Sequence, residues 1–417
     1  MSEGVRYRLA WFVLLLLTLE LVLGSLHSGV TFDERYNLQV PRHLASDGSY
    51  ASDGLLSGGG RTPFDPRIST GAPVLGPIAL VFTMTGPSVL AARLVVVCFF
   101  LALVLGVFLI ATRAWGRWPG LVAVAAVLAA TSAFDPGSRV AGPAVVKGEY
   151  PAAALVVCCA LVLRRRPALS GALLGLAALT KTLSLVYAPG LLIVLVLSSG
   201  RDRSARAATW WCLGLVAPIA AWLAIIWASL GWAGFVANQH EYVQFVLHGG
   251  SGLGAPTSRG LTASTMDWAD RVVTFAGTCG WLSVVIATTI LGLWWLHRDL
   301  GSLSRPAKPG GDLAPVRALL AGSVLLALWW LFMSSTGWSR HLLMGALTGV
   351  PLALAWLVWR AQGALRSVPG QAVIATLVVL NIALSSYLTW RAPTGVVHDG
   401  PTSAAHATGD ASARSPR

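Results

Sequence analysis

Charged side chains are scarce in this sequence. Of its 417 residues only 11% are Asp, Glu, Lys or Arg, whereas 55% are hydrophobic. Acidic residues are the rarer sign, with 17 Asp and Glu against 30 Lys and Arg. Soluble globular domains carry about 25% charged residues. The shortage therefore excludes an ordinary soluble enzyme and indicates a protein that crosses a membrane several times.

Several motifs that carry chemistry are also missing. The sequence has no GxxxxGK phosphate loop, no HExxH zinc motif and no GxSxG nucleophile elbow, which argues against soluble nucleotide chemistry. Cysteine is rare, and no cysteine pair has metal-ligand spacing with a histidine. All five cysteines lie inside apolar runs, at Cys98, Cys158, Cys159, Cys212 and Cys279. We expect neither a disulfide framework nor a thiolate metal site.

Long apolar runs dominate what is present. Runs of spanning length lie near 9–26, 88–112, 118–134, 148–163, 207–230, 268–296, 318–335, 341–359 and 370–390. Two short helices are expected within 168–199, and the proline-interrupted segment 72–86 predicts a short tilted or re-entrant element. The first run lacks a small-x-small cleavage site, so we interpret it as a retained signal anchor. The pattern predicts an all-α polytopic membrane protein with about 11 transmembrane helices.

The basic residues indicate the orientation of these helices. Segments 1–8, 111–117, 164–167, 200–206, 297–317 and 360–369 together hold 16 of the 30 Lys and Arg. Since positive charge is retained on the inner side, these segments and the N-terminus are predicted to be cytoplasmic. The formal charge of +13 is thus a topology signal, and we expect no nucleic-acid partner. We predict a multi-pass plasma-membrane protein, with an extracytoplasmic active site.

This topology defines the domains and the outer segments. Residues 1–390 form one predicted transmembrane domain, with a long outer loop at 27–72 that carries juxtamembrane helices. Further outer segments are predicted at 135–147, around Lys181, at 231–267 and at 338–341. Residues 391–417 are rich in Ala, Ser, Thr, Pro and Gly, which predicts a disordered outer tail.

Asp33 and Glu34 directly follow the first predicted span. A surface helix is expected from Glu34, with Tyr36, Val40 and Leu44 on one face. On one interpretation Asp33 only caps this helix while Glu34 complements its dipole. On the other, the two carboxylates belong to a catalytic site, because ionisable groups beside a bilayer are costly and tend to mark function.

Other ionisable residues are predicted on the same outer side. Glu149 begins a span, while Lys181 interrupts an apolar stretch and either snorkels at a helix end or binds an anion. Arg340 and His341 lie between two spans where positive-inside statistics do not place arginine, and an anionic ligand would explain them. His240 is a candidate substrate contact, although interfacial histidines are common.

Four ordered segments resemble a known family. They are FDERY with SDGSYAS, FDPRISTGAPVLGPIAL with GPSVLAAR, GEYPAAALVVCCALVLRRRPALSGALLGLAALTKT, and GWSRHLLMGALTGVPLAL. Together they resemble the polyprenyl-phosphate-sugar-dependent glycosyltransferases of the C-type membrane superfamily, in particular the protein O-mannosyltransferase and aminoarabinose lipid A transferase branches. The sequence departs from these branches in lacking a large outer soluble domain, and one branch's Lys-Pro pair is replaced by Ala72-Pro73.

The resemblance implies an inverting glycosyl transfer. It assigns Asp33, with Glu34 beside it, as the general base, and Lys181 and Arg340 as contacts for the donor phosphate. Glu149 matches a second acidic position and Arg93 a family arginine. The implied donor is a polyprenyl-phosphate sugar and the acceptor a glycolipid, polysaccharide or protein. No cofactor is required, although a divalent metal stays open.

Two questions remain open from sequence alone. A transporter or flippase for a lipid-linked sugar would also need outer cations, although no inverted repeat is present. The sugar is not specified; the Ala, Gly, Val, Leu and Arg bias is typical of high-GC bacteria, which favours mannose or arabinose by association only.

Overall fold

The computed structural model describes residues 3–54, 59–133, 142–247, 311–333 and 339–361. This part of the chain is mostly helical. The helices are α1 (Glu3–Leu26), α2 (Phe32–Asn37), α3 (Gln39–Asp47), α4 (Ala72–Thr85), α5 (Val89–Trp115), α6 (Arg117–Ala133), α7 (Glu149–Val162), α8 (Pro167–Thr180), α9 (Ala188–Ser198), α10 (Arg201–Leu247), α11 (Ala314–Met333) and α12 (Leu343–Ala361). Two 3₁₀ helices, Thr182–Tyr187 and Ser339–Leu342, and a small antiparallel ribbon of β1 (Ala51–Ser52) and β2 (Thr62–Pro63) complete the described elements.

Three described helices are long and apolar enough to cross a membrane. They contain Tyr7–Leu26, Val89–Trp115 and Asp202–Phe245. Shorter apolar helices include α4, α7 and α8, each of 14 residues, which at 1.5 Å per residue fall short of the hydrocarbon thickness. The predicted spans 268–296 and 370–390 and the tail 391–417 lie outside the described residues. The figure of eleven transmembrane helices therefore stays a prediction.

Small residues let the helices approach closely in the main apolar core. A Cβ at Gly171 of α8 would lie 2.0 Å from the carbonyl oxygen of Trp211 in α10, and a Cβ at Gly214 equally close to that of Ala168. Likewise, a Cβ at Gly106 of α5 would meet the Val157 side chain of α7 at 2.5 Å. Glycine is therefore required at these contacts, as is common where membrane helices pack.

The helix predicted after the first span is instead two short helices, α2 and α3, that meet at Leu38. Pro41 explains the break, because a proline has no N–H to donate and its ring would clash with the carbonyl of Asn37 in a continuous helix. Leu38 and Val40 are buried with residues of α4 and α5. The pair of helices thus packs inward through its apolar side chains, and Leu44 is only partly buried.

The predicted outer loop 231–267 is wrong over its first half. Helix α10 continues to Leu247, with one non-helical residue at Gly231 (φ 68°, ψ 174°). Glycine tolerates this positive φ, so the chain bends there and resumes a helix through residues that contain no proline. Residues 248–267 of the predicted loop lie outside the described residues.

Candidate functional site

A buried ion pair ties the segment that follows α1 to α5. The Arg93 guanidinium donates from Nε and Nη2 to the two carboxylate oxygens of Glu34, at 2.9 and 2.7 Å. The side chains are 2% and 0% exposed. Arg93 also donates to four backbone oxygens at the end of α1, those of Ser25, Leu26, Ser28 and Gly29. Because the two charges are paired and extensively hydrogen bonded, this ion pair can be buried.

The segment before α7 is bound to the same place. The Val146 N–H donates to Glu34 Oε1 at 3.2 Å, and the Val146 carbonyl accepts from Asn37 Nδ2 at 2.8 Å. The Ala144 N–H donates to Ser25 Oγ at 2.9 Å. We call residues 142–148 the strap. Its hydrogen bonds fix it along the α1–α2 junction.

Asp33 lies beside the strap. Its Oδ2 is 3.6 Å from Nζ of Lys147, and the side chains are 33% and 9% exposed, respectively. The helix cap is supplied by another residue, because Thr31 Oγ1 accepts the Glu34 N–H at 3.2 Å. The interpretation that Asp33 merely caps the helix is therefore wrong. Lys147 was not singled out from the sequence, although it stands two residues before Glu149.

A second ion pair follows the strap. Lys181 Nζ lies 3.0 Å from Glu149 Oε1, with the side chains 11% and 7% exposed. Lys181 occupies the junction between α8 and the 3₁₀ helix Thr182–Tyr187. A Cβ at Gly148 would lie 2.9 Å from the Thr180 carbonyl oxygen and 3.3 Å from the Lys181 side chain. Gly148 thus lets the strap pass against Lys181. This brings the Lys147–Asp33 contact close to the Lys181–Glu149 ion pair.

Asp65 is a further buried carboxylate that sequence reasoning missed. Tyr36 Oη and Ser52 Oγ both donate to its Oδ2, and the Arg67 N–H donates to Oδ1 at 3.0 Å. The motif FDPR was noted only for its resemblance. An aspartate before proline in an otherwise apolar chain was the available signal, but its partners come from separate elements.

A cavity of about 360 Å³ opens next to Lys181 and Asp65. Ile219, Leu223 and Ile226 of α10 supply an aliphatic wall. Asn238, Gln239, Tyr242 and Phe245 line it from the part of α10 that was predicted to be loop. Tyr242 follows Asn238 and Gln239 by four and three residues, and Phe245 follows Tyr242 by three, which puts these side chains on one helical face. This volume falls within the range of small-ligand pockets, roughly 300–1,000 Å³.

Aromatic rings form another wall of the cavity. Tyr50 stacks on Phe64 at 5.5 Å between ring centroids, and both contact Trp222 edge-on. Phe64 has a positive φ of 48°, uncommon for a bulky residue, and its carbonyl accepts from Asn238 Nδ2 at 2.8 Å. Burial raises the pKa of Tyr50, so its hydroxyl stays protonated at neutral pH.

The other predicted site residues are distributed as follows. Of the predicted residues whose side chains the structure describes, only Lys181 lines this cavity. Asp33 and Glu34 contact the strap, Arg93 pairs with Glu34, and Glu149 directly follows the strap. His240 is exposed on α10 and does not line the cavity. His341 is buried, with its ring 6.2 Å from that of Trp329. Arg340 lies in the 3₁₀ helix Ser339–Leu342, and its side chain is outside what the structure describes.

Cation and carboxylate pairing dominates the chemistry of this region. Arg93, Lys147 and Lys181 each contact a carboxylate. Within the described ranges no three His, Cys, Asp or Glu side chains converge in a way that could hold a metal ion. The arrangement offers a partly exposed carboxylate, Asp33, beside the strap and a mostly apolar cavity lined by Lys181. A carboxylate of this kind suits a hydroxyl, and a cation in an apolar cavity suits an anionic lipid.

Comparisons with known proteins identify the fold. No protein-family model and no curated protein sequence match the chain. Among solved structures, ArnT from Cupriavidus metallidurans bound to undecaprenyl phosphate matches with a TM-score of 0.52 and 14% identity, over 93% of this chain and 70% of that one. The oligosaccharyltransferase AglB from Archaeoglobus fulgidus, in complex with an inhibitory peptide and a dolichol-phosphate, matches with a TM-score of 0.52 and 12% identity, over 92% and 56%.

A third structure agrees with these two. The Archaeoglobus fulgidus oligosaccharyltransferase in the apo form gives a TM-score of 0.56 at 12% identity, over 93% of this chain and 56% of that one. The chain therefore shares its fold with ArnT and with the oligosaccharyltransferase, and the resemblance drawn from the sequence motifs is confirmed at the level of fold alone. The chain spans just over half the length of the two oligosaccharyltransferase structures.

Proposed function

We propose that this protein is an integral-membrane glycosyltransferase. It moves a sugar from a polyprenyl-phosphate donor to an acceptor hydroxyl at the outer face of the plasma membrane. The N-terminus of the protein lies on the cytoplasmic side. The observation that carries the proposal is the placement of Asp33. Its side chain is one-third exposed, beside a fully buried ion pair and against Lys147 of the strap, whose next residue, Gly148, packs against Lys181 of the cavity. An acidic group open to solvent within so rigid a setting is suited to act as a base.

The donor would occupy the cavity. Lys181 gives the phosphate a cation, and its ammonium can contact an additional anion while Glu149 stays near, since it has three donors. The aliphatic wall of α10, with Ile219, Leu223 and Ile226, gives the first isoprene units an apolar surface. Arg340 and His341 are proposed as further phosphate contacts from the 3₁₀ helix before α12. The solved structure of ArnT is bound to undecaprenyl phosphate, and that of AglB is in complex with a dolichol-phosphate.

The reaction would be a single displacement. Asp33 accepts the proton of the acceptor hydroxyl while the hydroxyl oxygen bonds to the anomeric carbon. The bond from that carbon to the phosphate oxygen breaks, and its electron pair stays on the polyprenyl phosphate. Lys181 neutralises the charge that develops on this leaving group. Attack opposite the leaving group inverts the anomeric configuration.

Other proposed roles are supporting ones. The Glu34–Arg93 pair fixes the backbone on either side of Asp33, so we assign Glu34 and Arg93 to holding the site. Glu149 is proposed to orient Lys181 and to contact the sugar, and His240, exposed on α10, to contact the acceptor. Mannose and arabinose are the proposed sugars, and a glycolipid, polysaccharide or protein the acceptor.

The test is transfer by purified protein in liposomes. Polyprenyl-phosphate-[¹⁴C]mannose and the arabinose equivalent are supplied with a cell-envelope extract, and labelled product and released polyprenyl phosphate are measured. Asp33→Asn should lower the rate about 10²- to 10⁴-fold, the usual contribution of general-base catalysis. Asp47→Asn, an exposed carboxylate of the same outer segment, serves as the matched control and should retain activity.

Two results would overturn the proposal. Full activity of Asp33→Asn would remove the assigned base. Movement of intact labelled donor between leaflets, with no release of polyprenyl phosphate, would instead support a lipid-linked sugar transporter. Mass spectrometry of glycolipids and glycoproteins in a deletion strain then identifies the sugar and the acceptor.

A further inference from the structure

Lys147 is a buried cation at the proposed active site. Its side chain is 9% exposed, and its ammonium lies 3.6 Å from Asp33 Oδ2. We propose that Lys147 is the positioning residue for the base, holding the Asp33 carboxylate from the protein side so that its open side meets the acceptor hydroxyl. This inference rests on the proposed function of Asp33.

The strap makes Lys147 suitable for this role. The residue before it, Val146, is hydrogen bonded in both directions, to Glu34 Oε1 and to Asn37 Nδ2. Both partners belong to α2, the helix that carries Asp33. Any displacement of the strap relative to α2 must therefore break buried hydrogen bonds, each costly to lose. The lysine and the base are consequently held in one rigid unit.

The exposed fractions of the two side chains indicate from which side Lys147 approaches Asp33. The Asp33 side chain is one-third exposed, whereas that of Lys147 is almost wholly covered. The ammonium therefore approaches the carboxylate from the interior, leaving an accessible side for a substrate. A buried lysine also needs a counter-charge to offset its desolvation, so the contact favours one carboxylate orientation over free rotation.

Lys147 and Lys181 are distinguished by position. Lys181 lines the cavity beside Asp65, Tyr242 and the α10 wall, and Lys147 does not. Lys181 is paired with Glu149 at 3.0 Å, whereas Lys147 contacts the carboxylate proposed to react. The geometry thus favours donor binding for Lys181 and orientation of the base for Lys147.

Substitution separates these roles in two measurements. The first is binding of undecaprenyl phosphate to purified protein, with no turnover required. Lys147→Met should bind within about twofold of wild type, while Lys181→Met should bind roughly tenfold more weakly, the loss of one charge-assisted contact of about 1.4 kcal/mol. Arg61→Met, which removes an exposed arginine of the same outer segment, is the matched control.

The second measurement is the rate of transfer with the donor that wild type uses. Lys147→Met should lower kcat about 10- to 100-fold with KM unchanged, because a misplaced base costs rate and not donor binding. Lys147→Arg, which keeps the charge with a different shape, should be intermediate. The double variant Asp33→Asn/Lys147→Met should be no slower than Asp33→Asn alone, because Lys147 acts through Asp33.

Different outcomes would overturn this inference and the proposed function. Unchanged kcat in Lys147→Met, weakened lipid-phosphate binding equal to that of Lys181→Met, or additive losses in the double variant would each overturn the inference. If Asp33→Asn itself is active, the proposed function fails instead, which is a separate result. Should Lys147→Met not fold, the kcat and lipid binding of Lys147→Arg decide by the same criteria: lowered kcat with normal binding supports the inference, and wild-type kcat overturns it.

Discussion

Asp33 and Glu34 are adjacent carboxylates in opposite environments. The Glu34 side chain is fully buried, with both oxygens on Arg93, whereas the Asp33 side chain is one-third exposed with Lys147 at a longer distance. Successive residues of a helix point about 100° apart, so α2 turns one carboxylate to the interior and its neighbour to the site. Two adjacent carboxylates of similar chemistry are therefore distinguished here only by their partners and by their exposure.

The comparison is tested most severely at Arg93. Arg93→Met leaves Glu34 buried without its cation and removes the donors for four backbone oxygens at the end of α1. Breaking a buried ion pair costs about 3–5 kcal/mol, so thermal unfolding in detergent should show a large drop in Tm or no folded protein. A wild-type Tm would show that the pair does not hold the α1–α2 junction.

A matched pair of isosteric variants sharpens the contrast. Glu34→Gln keeps the shape but loses the charge opposite Arg93, which should destabilise by roughly 1–3 kcal/mol. Asp33→Asn should lower Tm less while abolishing most transfer activity. Measuring both quantities on both variants is decisive, because the proposed division of labour fails if the two carboxylates show the same profile.

A substitution at the cavity tests whether the close contact of Gly71 with α8 holds Lys181 in position for lipid binding. The Gly71 N–H donates to the Thr180 carbonyl at 3.2 Å, and a Cβ at Gly71 would lie 1.6 Å from the Leu179 oxygen. Gly71→Ala must push α8 away, at a typical cost of about 1–3 kcal/mol, and weaken undecaprenyl phosphate binding at Lys181. Gly76→Ala in α4, where no atom lies within 4 Å of the new Cβ, is the control and should bind lipid normally.

The smallest effect is expected at the exposed Arg61–Asp47 pair. The Arg61 guanidinium lowers the pKa of Asp47 below its ordinary 3.8, so the pair's contribution is present above that value and is lost as pH falls. Both side chains are well exposed, and surface pairs contribute little. Arg61→Met should leave Tm and transfer unchanged at pH 7, as measured by thermal unfolding and the radiolabel assay. A marked loss of either would show that the segment between α3 and β2 has a role that the structure does not reveal.

Much of the architecture was predictable because it follows from local pattern. Apolar run length located α1, α5, α6, α7, α11, α12 and the first part of α10, and the two short helices expected within 168–199 are α8 and α9. The fold resemblance followed from the order of loose motifs. The continuous helix from Glu34 was wrong because the effect of Pro41 was overlooked, and the loop at 231–267 was wrong because a bend at Gly231 was mistaken for a helix end.

For the candidate site, the sequence identified several of the residues but not their partners. The sequence by itself marked Asp33, Glu34, Glu149 and Lys181, because charges are conspicuous in a chain that is 11% charged and local pattern needs no distant partner. Only the tertiary structure decided that Glu34 pairs with Arg93, that Lys147 accompanies Asp33 and that Asp65 is held by Tyr36 and Ser52. These contacts join residues 13 to more than 100 positions apart. Burial and partner choice depend on how helices pack, which no local pattern specifies.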